Sequence, residues 1–481
     1  MAFNHGVSVG EDATSVSSPV EAIAGLPVVF GTAPINLSTA DIPYVNKPVL
    51  AYSFAEAVAA VGYSDDWEKF TLCEFMDSHF RQYGLSPVVL VNVLDPSVHK
   101  VAVAAALENL VDRQIILKVE GIILSTVTVK SEDAATTYIK DTDYAIAFNN
   151  EGHLIISAKS TIPTSATKLS IAYSKLDPSA VDKDDIIGGV GSDGKVTGLE
   201  LINQVFPRFG LVPGLVVAPG YSQNPEVASV MTAKAGNINS VFKALALTDL
   251  PTDTVKQYSD VPQWKNQNNY TSPRQIPAWP MVKLGEKKYH FSTQLAGVIG
   301  ATDAANNGVP YASPSNKLLK SNGLELKDGT EVYLGIDQAN YLNSQGIMTG
   351  LNFMGGLKAW GNYTGSYPAV TDPKDSFIPI RRMFDWIGNS IVLSYWNKVD
   401  DPMNKRLTDS IVDSINIWIN GLTASGYLLG GRVEFRAEDN TTTSLMAGKV
   451  SFRLYITPPS PAQEIAVTLE YDVQYLAALV A

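Results

Sequence analysis

Between Glu464 and Tyr475 apolar and polar residues alternate without a break. Ile465, Val467, Leu469, Tyr471, Val473 and Tyr475 share one face, and Ala466, Thr468, Glu470, Asp472 and Gln474 share the other. This period of two predicts a β-strand half-buried in a sheet. Left unpaired, it would present a row of bare N–H and C=O groups to other chains. The sheet it completes belongs either to its own block or to another subunit. Near the start, Val7 and Val9 alternate with Ser8 and Gly10, enough for one short strand or for a frayed arm.

Between these ends the pattern changes several times. LPVVFGTAP (26–34) and SPVVLVNVLDP (86–96) predict buried strands. SFAEAVAAVG (53–62) predicts a short helix capped by Ser53 and closed by Gly62, and TLCEFMDSHFRQYG (71–84) an amphipathic helix. Short alternating strands dominate 97–189, with a hairpin turn at Asn149-Asn150-Glu151-Gly152. Helix and strand then resume through TGLELINQVFPRFG, GLVPGLVVAPG, NPEVASVMTAKAGNIN and VFKALALTDLP, an order that implies parallel crossovers. Residues 252–375 are rich in Gly, Asn and Pro, with one clear helix at Thr293–Asn306. The helical stretch 378–396 and a long helix from Asp401-Pro402 to about Ser425 precede the strands GRVEFRAED and GKVSFRLYITPP. In the long helix Leu407, Ile411, Ile415, Trp418, Ile419 and Leu422 recur at three- and four-residue steps.

The fold class expected is therefore mixed α/β and α+β in several domains. An N-terminal arm (1–20) precedes an α/β core domain (21–96 and 190–375). An all-β insertion (97–189) interrupts the core. A C-terminal helix–sheet α+β domain (376–463) and a terminal strand or arm (464–481) follow.

Composition narrows the function. With 481 residues the chain is long enough for several domains, and its net charge of −12 argues against a dedicated nucleic-acid binder. The single cysteine, Cys73, excludes an intrachain disulfide and a multi-cysteine zinc site. The N-terminus lacks a cationic stretch followed by an apolar core, and no run of about 18 apolar residues occurs, so neither a signal peptide nor a membrane span is expected.

An α/β domain with a β lid is also the layout of a hydrolase or a nucleotide-dependent enzyme, so catalytic motifs matter. Gly189-Val190-Gly191-Ser192-Asp193-Gly194 fits GxGxxG and runs into Lys195. It follows the acidic DKDDII, not a buried strand, and Val196 replaces the magnesium-binding hydroxyl, so a tight linker is the better reading. Gly220-Tyr221-Ser222-Gln223-Asn224 lacks the second glycine of a nucleophile elbow. His5, His79, His99, His153 and His290 sit in unrelated segments, and Asp182, Asp184 and Asp185 lack the rest of a calcium loop. No catalytic, metal or cofactor residue is assigned. Arg381, Arg382, Lys398, Lys405 and Arg406 gather around the start of the long helix, either as ordinary surface and packing charge or as a basic face for an acidic protein. The aromatic run Phe384, Trp386, Tyr395, Trp396 and Trp418 reads chiefly as core.

Several segments together resemble the contractile-tail sheath protein family of phage tails, R-type bacteriocins and related injection devices. They are HGVSVGED…VEAIAGLPVVFGTAP, LVPGLVVAPG, GVPYASPSN, LNSQGIMTG…GGLKAWGNYT, FIPIRRMFDWIGNSI with the long helix, and the three last strands. The insertion matches only as a variable segment.

The resemblance implies a non-enzymatic subunit without cofactors. It would polymerise with its own copies as helical hexameric rings around an inner tail tube protein, meet baseplate and tail terminator or collar proteins, and contract to drive the tube through a cell envelope. Val7, Val9, Ile465, Val467, Leu469, Tyr471, Val473 and Tyr475 would exchange between subunits as swapped strands. Lys398, Lys405 and Arg406 would face the tube. No direct nucleic-acid contact or membrane insertion is implied. The place would be a virion tail or an extracellular contractile particle, assembled in the bacterial cytoplasm. A tube or baseplate subunit is the alternative within such particles.

Overall fold

Strand β1 (Pro27–Gly31) is buried at every residue, as a strand covered on both faces must be. In the computed structural model, which describes residues 19–40, 43–149 and 151–479, β1 lies inside a six-stranded sheet. The short antiparallel strand β2 (Val49–Ala51) forms one edge of that sheet. Helix α1 (Phe54–Val61) follows, and the Ser53 side chain accepts from the Glu56 N–H at 3.2 Å, as the cap pattern predicts. Gly62 ends the helix at φ +81°, where a Cβ would lie 2.1 Å from the Pro34 carbonyl oxygen, so only glycine fits.

Helix α2 (Thr71–Met76) runs on as a π-helical stretch, Asp77–Gln82. It is not amphipathic as expected: Thr71 through His79 are all buried. Its acidic residues tolerate burial because each has a partner. The Tyr289 hydroxyl donates to Asp77 at 2.7 Å, and Glu74 holds His290. Strand β3 (Val88–Asn92) returns parallel to β1.

The insertion follows as strands β4 (Lys100–Asn109), β5 (Gln114–Leu117), β6 (Thr128–Lys130), β7 (Thr137–Tyr138), β8 (Tyr144–Phe148), β9 (Leu154–Ala158) and β10 (Lys168–Leu176). They form two antiparallel sheets, β4-β10-β6-β7 and β5-β9-β8. A separate apolar cluster, including Ile115, Val129, Leu154, Ile156 and Ile171, sits between them. Strand β4 has no counterpart among the expected elements. Its ladder with β10 shifts register between Ile171 and Tyr173, and KVAVAAALEN is mostly exposed, so it lacks the alternation that marks a half-buried strand. Asn150 of the expected hairpin turn lies outside the described residues, and the Gly152 N–H donates to the Asn149 carbonyl across it.

Helix α3 (Lys183–Ile187), capped by Asp182, leads into a hairpin of β11 (Gly189–Val190) and β12 (Val196–Thr197). The GxGxxG segment is thus the hairpin's turn, with Lys195 exposed and paired to Asp193. After α4 (Val205–Phe209), the units β13 (Leu215–Val217), α5 (Pro225–Gly236), β14 (Leu245–Asp249), α6 (Val261–Gln267) and β15 (Gln275–Ala278) extend the sheet on its other side. Its order is β15-β14-β13-β1-β3-β2, with only β2 antiparallel. The Asn224 side chain caps α5 by accepting from the Glu226 N–H at 2.9 Å.

The next stretch, expected to be partly irregular, folds as two small sheets around the buried helix α7 (Phe291–Ala304). Strands β16 (Met281–Leu284), β17 (Lys287–Tyr289), β19 (Gly323–Glu325) and β20 (Glu331–Val332) form one. The other contains β18 (Lys317–Leu318), β21 (Thr349–Asn352) and β22 (Leu357–Trp360), with α8 (Ile336–Asn343) against β21.

The terminal block holds α9 (Pro373–Ser376), α10 (Ile378–Tyr395), α11 (Lys405–Ala424), β23 (Gly430–Glu434), α12 (Thr442–Met446) and β24 (Arg453–Thr457). Helix α11 starts at Lys405, later than the Asp-Pro pair suggested, because Asn404 supplies the cap to Leu407 N–H at 3.0 Å. Trp386 and Trp418 pack at 5.5 Å between ring centres inside a cluster with Met383, Ile415, Ile419 and Val433. The first described residues are fastened here. Ala22 N–H donates to Ser390 Oγ, and Ala22 carbonyl accepts from the Trp386 indole at 2.8 Å.

Arg381 and Arg382 correct the idea of a basic face at this point, because both are buried in ion pairs. Arg382 grips Asp303 of α7 with both terminal nitrogens and also donates to the Ala24 carbonyl. Arg381 bridges Asp375 and Asp385, and Asp385 also holds Arg274. Replacing Asp303 by Ala should cost about 3–5 kcal/mol in denaturant unfolding, because Arg382 stays buried without its partner. The double variant Asp303→Leu with Arg382→Met should recover most of that loss.

Candidate assembly surfaces

Strand β24 ends at Thr457, and Pro458, Pro459 and Pro461 then deny the chain the N–H groups needed to continue the ladder. Among the described residues its last side-chain tie to the rest of the chain is the Tyr363 hydroxyl, which donates to Gln463 Oε1 at 2.8 Å. Beyond it, 464–472 has no regular structure and Val473–Leu479 forms 3₁₀ turns. The strand expected over Glu464–Tyr475 is therefore not formed among the described residues, where no strand pairs with it.

The apolar face of this ribbon is open to solvent: Ile465 is 82% exposed, Leu469 93% and Tyr475 80%, with Val467, Tyr471 and Val473 also exposed. Ordering a free chain costs about 1–2 kcal/mol per residue. Burying each large apolar side chain returns about 1.5–3 kcal/mol, but only against a surface that also pairs the backbone. The sheet β23-β24 has two strands, and both its outer edges are unpaired among the described residues. It packs on α11 through Val433, with Phe452, Leu454 and Ile456 half-buried. Val7 and Val9 lie outside the described residues.

The structure places Lys398 just past α10 and Lys405 and Arg406 in the first turn of α11. Lys398 pairs with Asp401 at 3.5 Å, while Lys405 and Arg406 are exposed and have no ion pair among the described residues. Cations at a helix N-terminus oppose the helix dipole, so their position gains nothing for the fold. Trp396, expected as core, is 65% exposed, and Val399 and Met403 beside it are exposed too. The stretch 396–406 thus offers apolar and cationic groups side by side.

A second concentration of chemistry escaped the spacing rules. Glu74 accepts from the His290 backbone N–H at 2.7 Å and meets its Nδ1 at 2.7 Å. Asp249 accepts from the hydroxyls of Ser222 and Ser292 and from the Ser292 N–H. Glu74 and His290 are more than two hundred residues apart in sequence, so no local motif joins them. Burial alone lowers the His290 pKa, but the charge and hydrogen bond of Glu74 override it and raise it to about 9. Cys73 is buried, which pushes its thiol up to about 12 and leaves it inert. Among the described residues no His, Cys, Asp and Glu cluster suits a metal ion, and no helix is long and apolar enough to cross a membrane.

The relatives bear on what these surfaces serve. No family model matches the chain. The tail sheath protein of Burkholderia phage BcepMu is 29% identical over 488 residues, spanning 99% of this chain and 98% of the phage protein. The chain thus resembles tail sheath proteins over nearly its whole length. The sheath complex of an extracellular contractile injection system, PVC, in its contracted state, shares the fold with a TM-score of 0.58 at 14% identity, covering 98% and 99% of the two chains. A chain of the anti-feeding prophage baseplate shares it with a TM-score of 0.55 at 15% identity, covering 98% and 100%. This sheath relationship is to structural proteins, and the expectation of a non-enzymatic chain rests on it.

The Glu74–His290 pair predicts an alkaline weakness. A folded-state pKa of about 9, above the usual 6.5, gives stabilisation that is complete below 6.5 and fades as pH rises through 9. Unfolding free energy should fall by up to about 3 kcal/mol over that window, and Glu74→Gln should flatten the fall in urea titrations at each pH.

Proposed function

We propose that the chain is the sheath subunit of a contractile tail or extracellular contractile particle. Subunits stack as helical hexameric layers around an inner tube and rearrange as rigid bodies to drive it through a cell envelope. The observation that carries this reading is the exposed apolar ribbon Ile465–Tyr475, in a chain whose β23-β24 sheet keeps both edges open among the described residues. A ribbon on one subunit and an open edge on the next make a head-to-tail contact that does not close on itself, and such contacts build filaments. Val7 and Val9 join the exchange in the same reading.

The blocks have separate tasks. The α+β block 376–463 lies nearest the tube, with Lys398, Lys405 and Arg406 toward an acidic tube surface. The α/β core (21–96 and 190–375) and the β insertion (97–189) lie outward. Energy resides in the extended lattice, so no nucleotide is needed. Baseplate and terminator or collar proteins meet the two ends of the polymer, a reading supported at one end by the likeness to a chain of the anti-feeding prophage baseplate. Assembly in the bacterial cytoplasm precedes release as a virion tail or free particle.

Deleting 464–481 should leave a chain with native circular dichroism that forms no cylinders in negative-stain images. Cylinders formed by the truncated chain would sink the strand exchange. Reversing charge at Lys405 and Arg406 should weaken assembly on a tube template more than spontaneous polymerisation, by about 1 kcal/mol per lost charge contact at low salt. Equal effects in the two assays would remove the tube contact.

A further inference from the structure

The parallel sheet reverses its direction of growth between β1 and β13: β3 and β2 lie on one side of β1, and β13, β14 and β15 on the other. In open α/β sheets the crevice beyond the strand ends at such a point is where ligands sit. Here it holds a cavity of about 750 Å³, reached by Thr71 at the start of α2, Gly220, Tyr221 and Gln223 to Pro225 after β13, and Pro251 to Thr254 after β14. Volumes of this order suit small organic molecules.

The cavity has a built donor. Glu74 holds the His290 backbone and Nδ1 together, which fixes the ring and leaves Nε2 on the side of Gly220, another wall of the cavity. Gly220 has φ +80°, and a Cβ there would come 4.0 Å from Nε2 and 3.0 Å from Thr71 Cγ2. Its missing side chain keeps the approach to Nε2 open. Lys288 and Lys327 line the same cavity; Lys288 is tied to Glu325, and Lys327 has no ion pair among the described residues. Of the acidic residues on the wall, Glu74 is engaged with His290, Asp182 caps α3, Asp253 accepts from the Thr254 N–H, and Glu68 is exposed. Trp67, Trp264 and Met281 add apolar walls.

We propose that this cavity binds a small organic oxyanion, a phosphate ester or a carboxylate, whose charge meets His290 Nε2–H and the Lys327 ammonium and whose apolar part lies against Trp67 and Trp264. An imidazolium N–H and an ammonium make charge-assisted hydrogen bonds to such groups, stronger than neutral ones. The site owes nothing to polymerisation and stands apart from the sheath reading.

Isothermal titration of the full chain at neutral pH with phenyl phosphate, benzoate and benzyl alcohol tests it. At least one anion should bind saturably with one site per chain, about tenfold or more tighter than the neutral alcohol. Whichever anion binds tighter identifies the headgroup. Lys327→Gln, an exposed substitution, and His290→Gln should each weaken the anion severalfold and leave the alcohol unchanged. Should His290→Gln fail to fold, Lys327→Gln alone decides. No saturable anion binding, equal binding of the alcohol, or unchanged affinity in Lys327→Gln overturns the proposal.

Discussion

The joint around Arg382 holds the two halves of this molecule in one arrangement. Its guanidinium lies between Asp303 at the end of α7 and the Ala24 carbonyl, so one side chain touches the sheet-bearing half, the first described segment and the terminal block. A buried charge of this kind tolerates little movement, because any separation leaves an unpaired ion in a low-dielectric setting. The neighbouring set of Arg274, Arg381, Asp375 and Asp385 repeats the device. Residues 20–24 are pinned against α10 by Ser394, Ser390 and Trp386 at the same place. The first described segment is therefore fastened to the block that carries α10 and α11.

Backbone pairing explains the contrast between the two halves. In the six-stranded sheet every central strand has neighbours on both sides and apolar cover on both faces. In the terminal block the described sheet stops at two strands, while the apolar residues from Ile465 to Tyr475 lie exposed and unpaired. Two strands with open edges are marginal alone.

Much of this was legible in the sequence where one segment determines its own structure. Ser53, Asn224 and Pro225 mark helix starts by local hydrogen bonding, and LPVVFG and LVPGLVV declare buried strands by their unbroken apolar runs. The alternation of Ile465 to Tyr475 was legible as a demand for a sheet, although pattern alone cannot supply the second strand. What stayed hidden was set by distant partners. Arg381 and Arg382 look like surface charge until Asp303, Asp375 and Asp385 come together around them. Glu74 and His290 read as unrelated until α2 and the start of α7 meet. Helix α2 looks two-faced because its acids are polar in sequence, yet both faces are covered. Trp396 shows the converse, an aromatic whose helix ends just where the core does.

The β insertion leaves the sheet after β3 and comes back beside its own departure, with the Asp177 N–H donating to the His99 carbonyl at 3.0 Å. Its apolar cluster is its own, shared with neither of the other two. A lobe with its own apolar cluster can change the length, loops and surface chemistry of its outer strands with little effect on the supporting sheet. Evolution can therefore re-dress the protein through this lobe at small mechanical cost, and a foreign peptide grafted into its turns would ride on the subunit as cargo.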